Sequence, residues 1–105
     1  MAANAADRAA VLADIRTLAS NGAPGLRQIE NTLTDGYACV LQIEAERTRL
    51  QRRLEQRAAA LAKRSEHDVD EVARLAQGMA RADEELAELR SALGELAEVA
   101  QRLRA

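Results

Sequence analysis

The chain has 105 residues and a formal net charge of −2 at pH 7, so it can form one small domain and carries no basic excess that would favour nucleic acid or an anionic membrane. Phe and Trp are absent and Tyr37 is the only aromatic residue, while Ala and Leu dominate the apolar residues. Because sheets favour β-branched and aromatic residues, this composition predicts an all-α protein of the coiled-coil type.

The first predicted helix covers residues from about 4 to 20. Its apolar residues recur in steps of three and four, which is typical of one apolar stripe on a helix. Asn21-Gly22 can end this helix, because either residue can adopt the left-handed conformation of a helix terminus. Pro24 suits the first turn of the next helix. The stripe consists of Val11, Leu12, Ile15, Leu18 and Ala19.

The packing site of the first helix is predicted from the turn that follows it. The Gly22–Gly25 turn is expected to send this helix back along the start of the second helix, where Tyr37 and Leu41 widen the apolar face. Gly36 has no side chain, so a third helix can approach the second helix closely at this position. The first helix would therefore cover one end of the longer helices.

The second predicted helix runs from about residue 24 to 64 and keeps a heptad repeat for most of that length. The a and d positions of such a repeat form the seam along which two helices pack. Two arginines and one glycine interrupt this seam. The positions are Leu26, Ile29, Leu33, Gly36, Val40, Ile43, Arg47, Leu50, Leu54, Arg57 and Leu61.

The third predicted helix runs from about residue 68 to 104 and carries a seam of its own. Its heptads are out of phase with those of the second helix, which leaves two arrangements open. One is a single straight helix with a stutter, and the other is a chain that turns back near residues 65–70. The seam positions are Val72, Leu75, Met79, Ala82, Leu86, Leu89, Leu93, Leu96, Ala100 and Leu103.

Charge favours the second arrangement. Arg47–Arg64 contains seven basic residues and one acid, whereas Glu66–Glu98 contains ten acids and three basic residues, so folding back places a basic arm beside an acidic arm. Asp68 and Glu71 also resemble a capping box at a helix N-terminus. The predicted fold is therefore a long antiparallel helical hairpin, a coiled coil, with the shorter N-terminal helix packed on its open end.

The register of this hairpin is predicted by pairing a with d positions in the antiparallel sense, which gives layers whose residue numbers sum to 136. The arm nearest the turn is rich in alanine and buries little apolar area, so a second copy is expected to complete a four-helix bundle. The predicted layers and pairs include Leu50 with Leu86, Gly36 with Ala100 and Arg53 with Glu85.

Catalytic and metal chemistry have little support in the sequence. His67 is the only histidine, and because a metal site needs several ligands, it is interpreted as a cap or loop residue. Cys39 lies about 40 Å from His67 along a helix, too far for a nucleophile and its base. It is interpreted as a small interface residue, with an intersubunit disulfide or redox role as the alternative. No enzyme activity, metal, cofactor or small-molecule substrate is predicted.

The segment Arg47–Arg57 carries five arginines and is the best candidate for a nucleic-acid site. No aromatic residue accompanies it to stack bases, and the acidic arm competes for its charges. The arginines are therefore interpreted chiefly as partners of the acidic helix, with Arg47 and Arg57 able to reach Glu88 or Asp83. A nucleic-acid-associated accessory factor remains the alternative function.

Location and origin are predicted from a few residues. Cys39 is the only cysteine, which fits a reducing cytosol, and Met1-Ala2-Ala3-Asn4 lacks the basic segment and apolar core of a signal peptide. No apolar run approaches the roughly 20 residues that span a bilayer. Lys63 is the only lysine, which indicates a GC-rich bacterial genome. We therefore expect a bacterial cytoplasmic protein that does not contact membranes.

In size and helical pattern the sequence resembles small bacterial helical proteins such as secretion chaperones. The small secreted hairpins with a Trp-x-Gly turn match less well, because Trp is absent. The sequence predicts a non-enzymatic adaptor or assembly module that binds a second copy, as a homodimer, or another helical protein by coiled-coil packing. The predicted interaction residues are Tyr37, Val40, Ile43, Arg47, Leu50, Arg53, Leu54, Arg57, Leu61, Met79, Leu86 and Leu89.

Overall fold

A computed structural model describes the backbone at residues 5–20, 24–61 and 66–105, and the side chains at all of these positions except 5, 6, 61 and 66–68. These residues form three α-helices and no strand. The all-α fold of three helices that composition and periodicity predict is therefore confirmed.

The three helices are α1 (Ala5–Ser20), α2 (Leu26–Leu61) and α3 (Glu66–Arg104). The predicted stop at Asn21-Gly22 lies outside the described residues, and so does much of the predicted turn near residues 65–70.

Backbone and hydroxyl hydrogen bonds mark the ends of α1 and α2. In the last turn of α1, the Ser20 hydroxyl donates to the carbonyl of Arg16 at 3.0 Å. At the start of α2, the amide of Ile29 donates to the carbonyl of Gly25 at 3.1 Å. Gly25 is therefore the N-cap residue of α2, and Pro24 lies just before the helix rather than in its first turn as the sequence predicts.

The helices contribute to two compact units, which are described separately. The three-helix unit comprises Met1–Gln42 and Ala87–Ala105, and the two-helix unit comprises Ile43–Leu86. Both α2 and α3 supply residues to each unit.

The core of the three-helix unit receives large apolar side chains from all three helices. Ile15 of α1, Ile29 of α2, and Leu93 and Leu96 of α3 are each at most 2% exposed. Burial of a Leu or Ile side chain contributes about 1.5–3 kcal/mol, so each of these four positions contributes substantially to the stability of the unit. The other buried apolar residues of the unit are Leu18, Cys39, Val40, Leu89, Ala92 and Ala100.

The predicted register of α2 against α3 is wrong by one heptad in the three-helix unit. Gly36 faces Leu93 rather than Ala100, and a Cβ atom built on Gly36 would overlap Leu93 Cδ2. Two small residues opposite each other would leave a void, whereas Leu93 fills the space that Gly36 leaves. Because a heptad pattern repeats every seven residues, periodicity alone could not distinguish the two registers.

The predicted packing site of α1 is corrected in the same unit. Tyr37 is 52% exposed and Leu41 is 68% exposed, so neither forms the surface on which α1 packs. Instead, Ile15 Cδ1 lies 3.0 Å from the position of a Cβ atom on Gly36. The expected close approach of a third helix at Gly36 is therefore present, while Tyr37 lies about 100° further around α2.

In the two-helix unit, α2 and α3 lie side by side and antiparallel. Arg47 contacts Asp83 and Arg57 contacts Glu71, so residue numbers rise along one helix and fall along the other. Arg57 Nε lies 3.2 Å from Glu71 Oε2. One straight helix would separate these residues by about 21 Å, so the contact is incompatible with that alternative.

The predicted register is also wrong in the two-helix unit. The prediction pairs Leu50 with Leu86, but Leu50 Cδ1 lies 3.3 Å from the position of a Cβ atom on Gly78. Arg53 contacts Glu71 rather than Glu85. Since 14 residues of a helix span about 21 Å, Arg53 cannot reach both acids.

The seam of the two-helix unit is only partly covered. Ile43, Leu75, Ala82 and Leu86 are buried. Two helices touch along one line, so solvent reaches both sides of their seam. In a three-helix arrangement, the third helix covers one of these sides. The half-buried seam residues are Leu50, Leu54, Val72 and Met79.

Candidate interaction surfaces

The basic segment of α2 is paired with acids of α3 inside the two-helix unit. Arg47 Nε donates a hydrogen bond to Asp83 Oδ1, as the sequence predicts. Arg53 Nη2 donates to Glu71 Oε1 at 3.2 Å, and Arg57 Nε contacts the other oxygen of the same carboxylate. Three of the five arginines in this segment are therefore engaged within the chain, which favours the interpretation of these residues as partners of the acidic helix.

A row of side-chain hydrogen bonds along α2 fixes the guanidinium of Arg47 further. Arg47 Nη1 donates to Gln51 Oε1 at 3.2 Å, and Gln51 Nε2 donates to Glu55 Oε1 at 3.2 Å. These residues are four apart, the spacing at which side chains meet on a helix. Arg47 therefore uses separate nitrogens for Asp83 and Gln51, and these two contacts occupy part of its donor capacity within the chain.

Arg49 and Arg52 are the remaining arginines of the basic segment. Both are exposed and make no ion pair with another described residue. Affinity for nucleic acid grows with the number of phosphates that basic residues neutralise. The two arginines that have no ion pair within the described part of the chain provide a much weaker phosphate-binding surface than five would.

The other predicted interaction residues fall into different environments. Val40, Ile43, Leu86 and Leu89 are buried and belong to the cores of the two units. Tyr37 is exposed, and the side chain of Leu61 lies outside the described residues. The predicted set is therefore divided between cores, an exposed face and the open seam. The half-buried members are Leu50, Leu54 and Met79.

Several apolar side chains are exposed that sequence reasoning either placed in contact surfaces, as for Leu41 and Leu103, or did not single out, as for Val69. Leu41, Val69 and Leu103 are 68%, 56% and 47% exposed. Leu41 follows Tyr37 by four residues, so the two lie one above the other on α2. Tyr37 and Leu41 lie beside the a and d positions of the heptad repeat rather than on them, and this signal could have placed both outside the core.

A shallow groove of about 340 Å³ lies between α1 and α3 in the three-helix unit. Arg16 Nη2 lies 3.5 Å from Glu88 Oε2 across it, and both side chains are 57% exposed. An exposed ion pair of this kind contributes at most about 1 kcal/mol. The groove is lined by Arg16, Ala87, Glu88, Ser91, Ala92 and Glu95.

The described residues contain no group of three or more His, Cys, Asp and Glu side chains that could hold a metal ion. Cys39 is buried in the three-helix unit.

In the described part of the chain, no helix carries an apolar stretch long enough to cross a membrane.

Comparisons with family models, curated proteins and solved structures give no match for this chain. Function must therefore be argued from the chain's own surfaces.

Proposed function

We propose that the chain is a non-enzymatic adaptor or assembly module that acts in the cytoplasm by packing against another helical surface. In this proposal α2 and α3 form a long coiled-coil hairpin with α1 at its open end. The observation that carries the proposal is the partly exposed seam of the two-helix unit, where Leu50, Leu54 and Met79 are not fully buried.

The physical reason is the apolar area that this seam leaves in contact with water. Covering apolar surface stabilises a complex by about 25 cal/mol per Å², and a further helix is the element that fits along two antiparallel helices. The ion pairs at Arg47 and Glu71 hold the two helices in register, so the seam is preorganised for a partner. The occupant is a second copy, giving a four-helix bundle, or another helical protein.

Amide hydrogen exchange tests this proposal. At nanomolar concentration, the amides of the two-helix unit are expected to exchange at least about tenfold faster than those near Ile29 and Leu96, because fewer buried contacts protect them. Raising the concentration slows their exchange if a second copy covers the seam. If exchange stays fast, the seam is completed by a different protein.

The core amides of the three-helix unit provide the internal control, since they should exchange slowly at every concentration. Slow exchange of the two-helix unit at the lowest concentration would contradict the proposal, because the unit would then be stable without any partner.

The alternative function, a nucleic-acid-associated accessory factor, is supported by the exposure of Arg49 and Arg52. It is disfavoured by the engagement of Arg47, Arg53 and Arg57 within the chain. Salt separates the two functions, because binding to phosphates weakens steeply as salt rises, whereas apolar packing does not.

A further inference from the structure

The two-helix unit has two flanks, one on each side of the seam between α2 and α3. Arg47 contacts Asp83 on one flank, whereas Arg53 and Arg57 contact Glu71 on the other. Arg47 and Arg53 are six residues apart, which places them about 120° apart around α2. Asp83 and Glu71 are twelve residues apart, which gives the same angle around α3. The two sets of ion pairs therefore lie on opposite sides of the seam.

The flank of Glu71 carries further arginines at helical spacing. On α2, Arg49 precedes Arg53 by four residues. On α3, Arg74 and Arg81 follow Glu71 by three and ten residues, so they lie on the same side of α3 as Glu71. All three added arginines are exposed and make no ion pair with another described residue. We call this side the arginine flank; its arginines are Arg49, Arg53, Arg57, Arg74 and Arg81.

The acids of the arginine flank are already engaged within the chain. Glu71 contacts Arg53 and Arg57, each at 3.2 Å. Helical spacing also places Glu46 and Glu85 on this flank, and both have interactions within the chain. Among the described residues, five arginines therefore share the flank with three acids. The chain as a whole has a net charge of −2, so this positive excess is local.

The arginines without an ion pair stand on opposite edges of a groove with a low floor. The contact of Leu50 with the Cβ position of Gly78 places Arg49 and Arg81 within about 3 Å of each other along the helix axis. Gly78 lies between Arg74 and Arg81 on α3, and its Cβ position meets only Leu50 within 4 Å. Packed helices lie about 8–10 Å apart, so the two edges are separated by about the diameter of one further helix.

We infer that the arginine flank binds an amphipathic, acidic helix of another protein. The apolar side of that helix lies over Gly78, and its acids lie along both edges, opposite Arg49 on α2 and Arg74 and Arg81 on α3. Charge complementarity selects this occupant, because acids neutralise the local excess and a basic helix is repelled.

Nucleic acid matches the arginine flank less well than an acidic helix. Proteins that bind single strands stack the bases on aromatic side chains. Tyr37 is the only aromatic residue of the chain and belongs to the three-helix unit.

The inference goes beyond the proposed function, because it concerns a different side of the seam. Leu54 follows Arg47 by seven residues, and Met79 precedes Asp83 by four. Both seam residues therefore lean towards the flank of the pair between Arg47 and Asp83.

Fluorescence anisotropy with a designed peptide tests the inference. The probe is a labelled helix of about four heptads with one leucine stripe and glutamates on both sides of it. The wild-type chain is expected to bind this peptide. A chain with both Arg74→Gln and Arg81→Gln should bind it about tenfold more weakly. A peptide with glutamine in place of every glutamate should lose at least as much affinity.

A chain with both Arg27→Gln and Arg102→Gln is the matched control. It removes the same charge from two exposed arginines of the three-helix unit that make no ion pair with another described residue. The dissociation constant should change by less than about twofold. Arginine and glutamine have similar helix propensities, so both double variants should unfold at the same denaturant concentration as the wild-type chain.

Absence of binding to the glutamate peptide overturns the inference, and so does an equal loss of affinity in the two double variants. Tighter binding of a DNA duplex of about 20 base pairs, reduced by Arg74→Gln with Arg81→Gln, also overturns it, since the flank would then be a nucleic-acid site. The proposed function is tested separately, by amide exchange in the two-helix unit.

Discussion

Replacing Ile15 with alanine is expected to lower the free energy of unfolding by about 3 kcal/mol, because truncation of a large buried side chain loses transfer free energy and leaves a cavity. Ile15 is 0% exposed, and Leu18 is the only other large side chain buried in the described part of α1. The substitution therefore removes the side chain of α1 that contacts α2 at Gly36. Urea unfolding followed by circular dichroism measures the change.

Leu103→Ala is the matched control for Ile15→Ala, because it also shortens a branched apolar side chain but at a position that is 47% exposed in the last turn of α3. Leu103→Ala should lower the free energy of unfolding by less than about 1 kcal/mol. Both chains must be measured at one low concentration, since association stabilises the folded state. If the two substitutions lower the free energy of unfolding equally, the burial of Ile15 in the core is contradicted.

Gly36→Val is expected to destabilise the chain by about 3 kcal/mol, since overpacking a dense core forces side chains out of their rotamers. The new Cβ atom alone would overlap Leu93 and approach Ile15 Cδ1 at 3.0 Å. Leu93 and Ile15 are at most 2% exposed, so neither can move aside cheaply. Thermal unfolding at fixed concentration gives the size of the loss.

The same substitution at Gly94 separates helix propensity from packing. Gly94 is also inside a helix, α3, but no atom lies within 4 Å of the position that a Cβ atom on Gly94 would take. Valine and glycine differ in helix propensity by less than about 0.5 kcal/mol, so this variant should unfold close to wild type. If Gly36→Val also unfolds like wild type, the close contact of α1, α2 and α3 at this point is wrong.

The three helices could be predicted from the sequence because their causes are local. Runs of Ala and Leu at steps of three and four favour helices wherever they occur. The predicted ends of about 20, 64 and 104 compare with Ser20, Leu61 and Arg104 in the structure.

The register could not be predicted, because it depends on a choice between equally periodic alternatives. A shift of seven residues keeps every a position opposite a d position. The choice is made by size: Leu93 fits over Gly36, whereas Ala100 would leave space there. A rule that pairs the largest side chains with glycine would have favoured the observed register.

The candidate surfaces were predicted in part. The predicted contact between Arg47 and Asp83 is confirmed. The prediction for Arg57 is wrong, because Arg57 contacts Glu71 rather than Glu88 or Asp83 in the register that the helices adopt. Tyr37 and Leu41 were assigned to the packing of α1, and this assignment is wrong because α1 needs the small surface at Gly36. Which seam residues stay partly exposed depends on which of them a third helix covers, and heptad positions alone do not reveal this.

The most direct test of the central claim, that the open seam binds another helical chain, is photo-crosslinking at Met79. The chain has only two methionines, so a diazirine analogue of methionine places a probe on the half-buried seam with little change in shape. A Met79→Leu, Gln77→Met chain carries the same probe on the exposed face of α3 as a matched control. The account predicts crosslinks from position 79 to a helical segment of a second polypeptide, and far fewer from position 77. Crosslinks from position 79 that stay within one chain, or that join it to nucleic acid, would contradict the account.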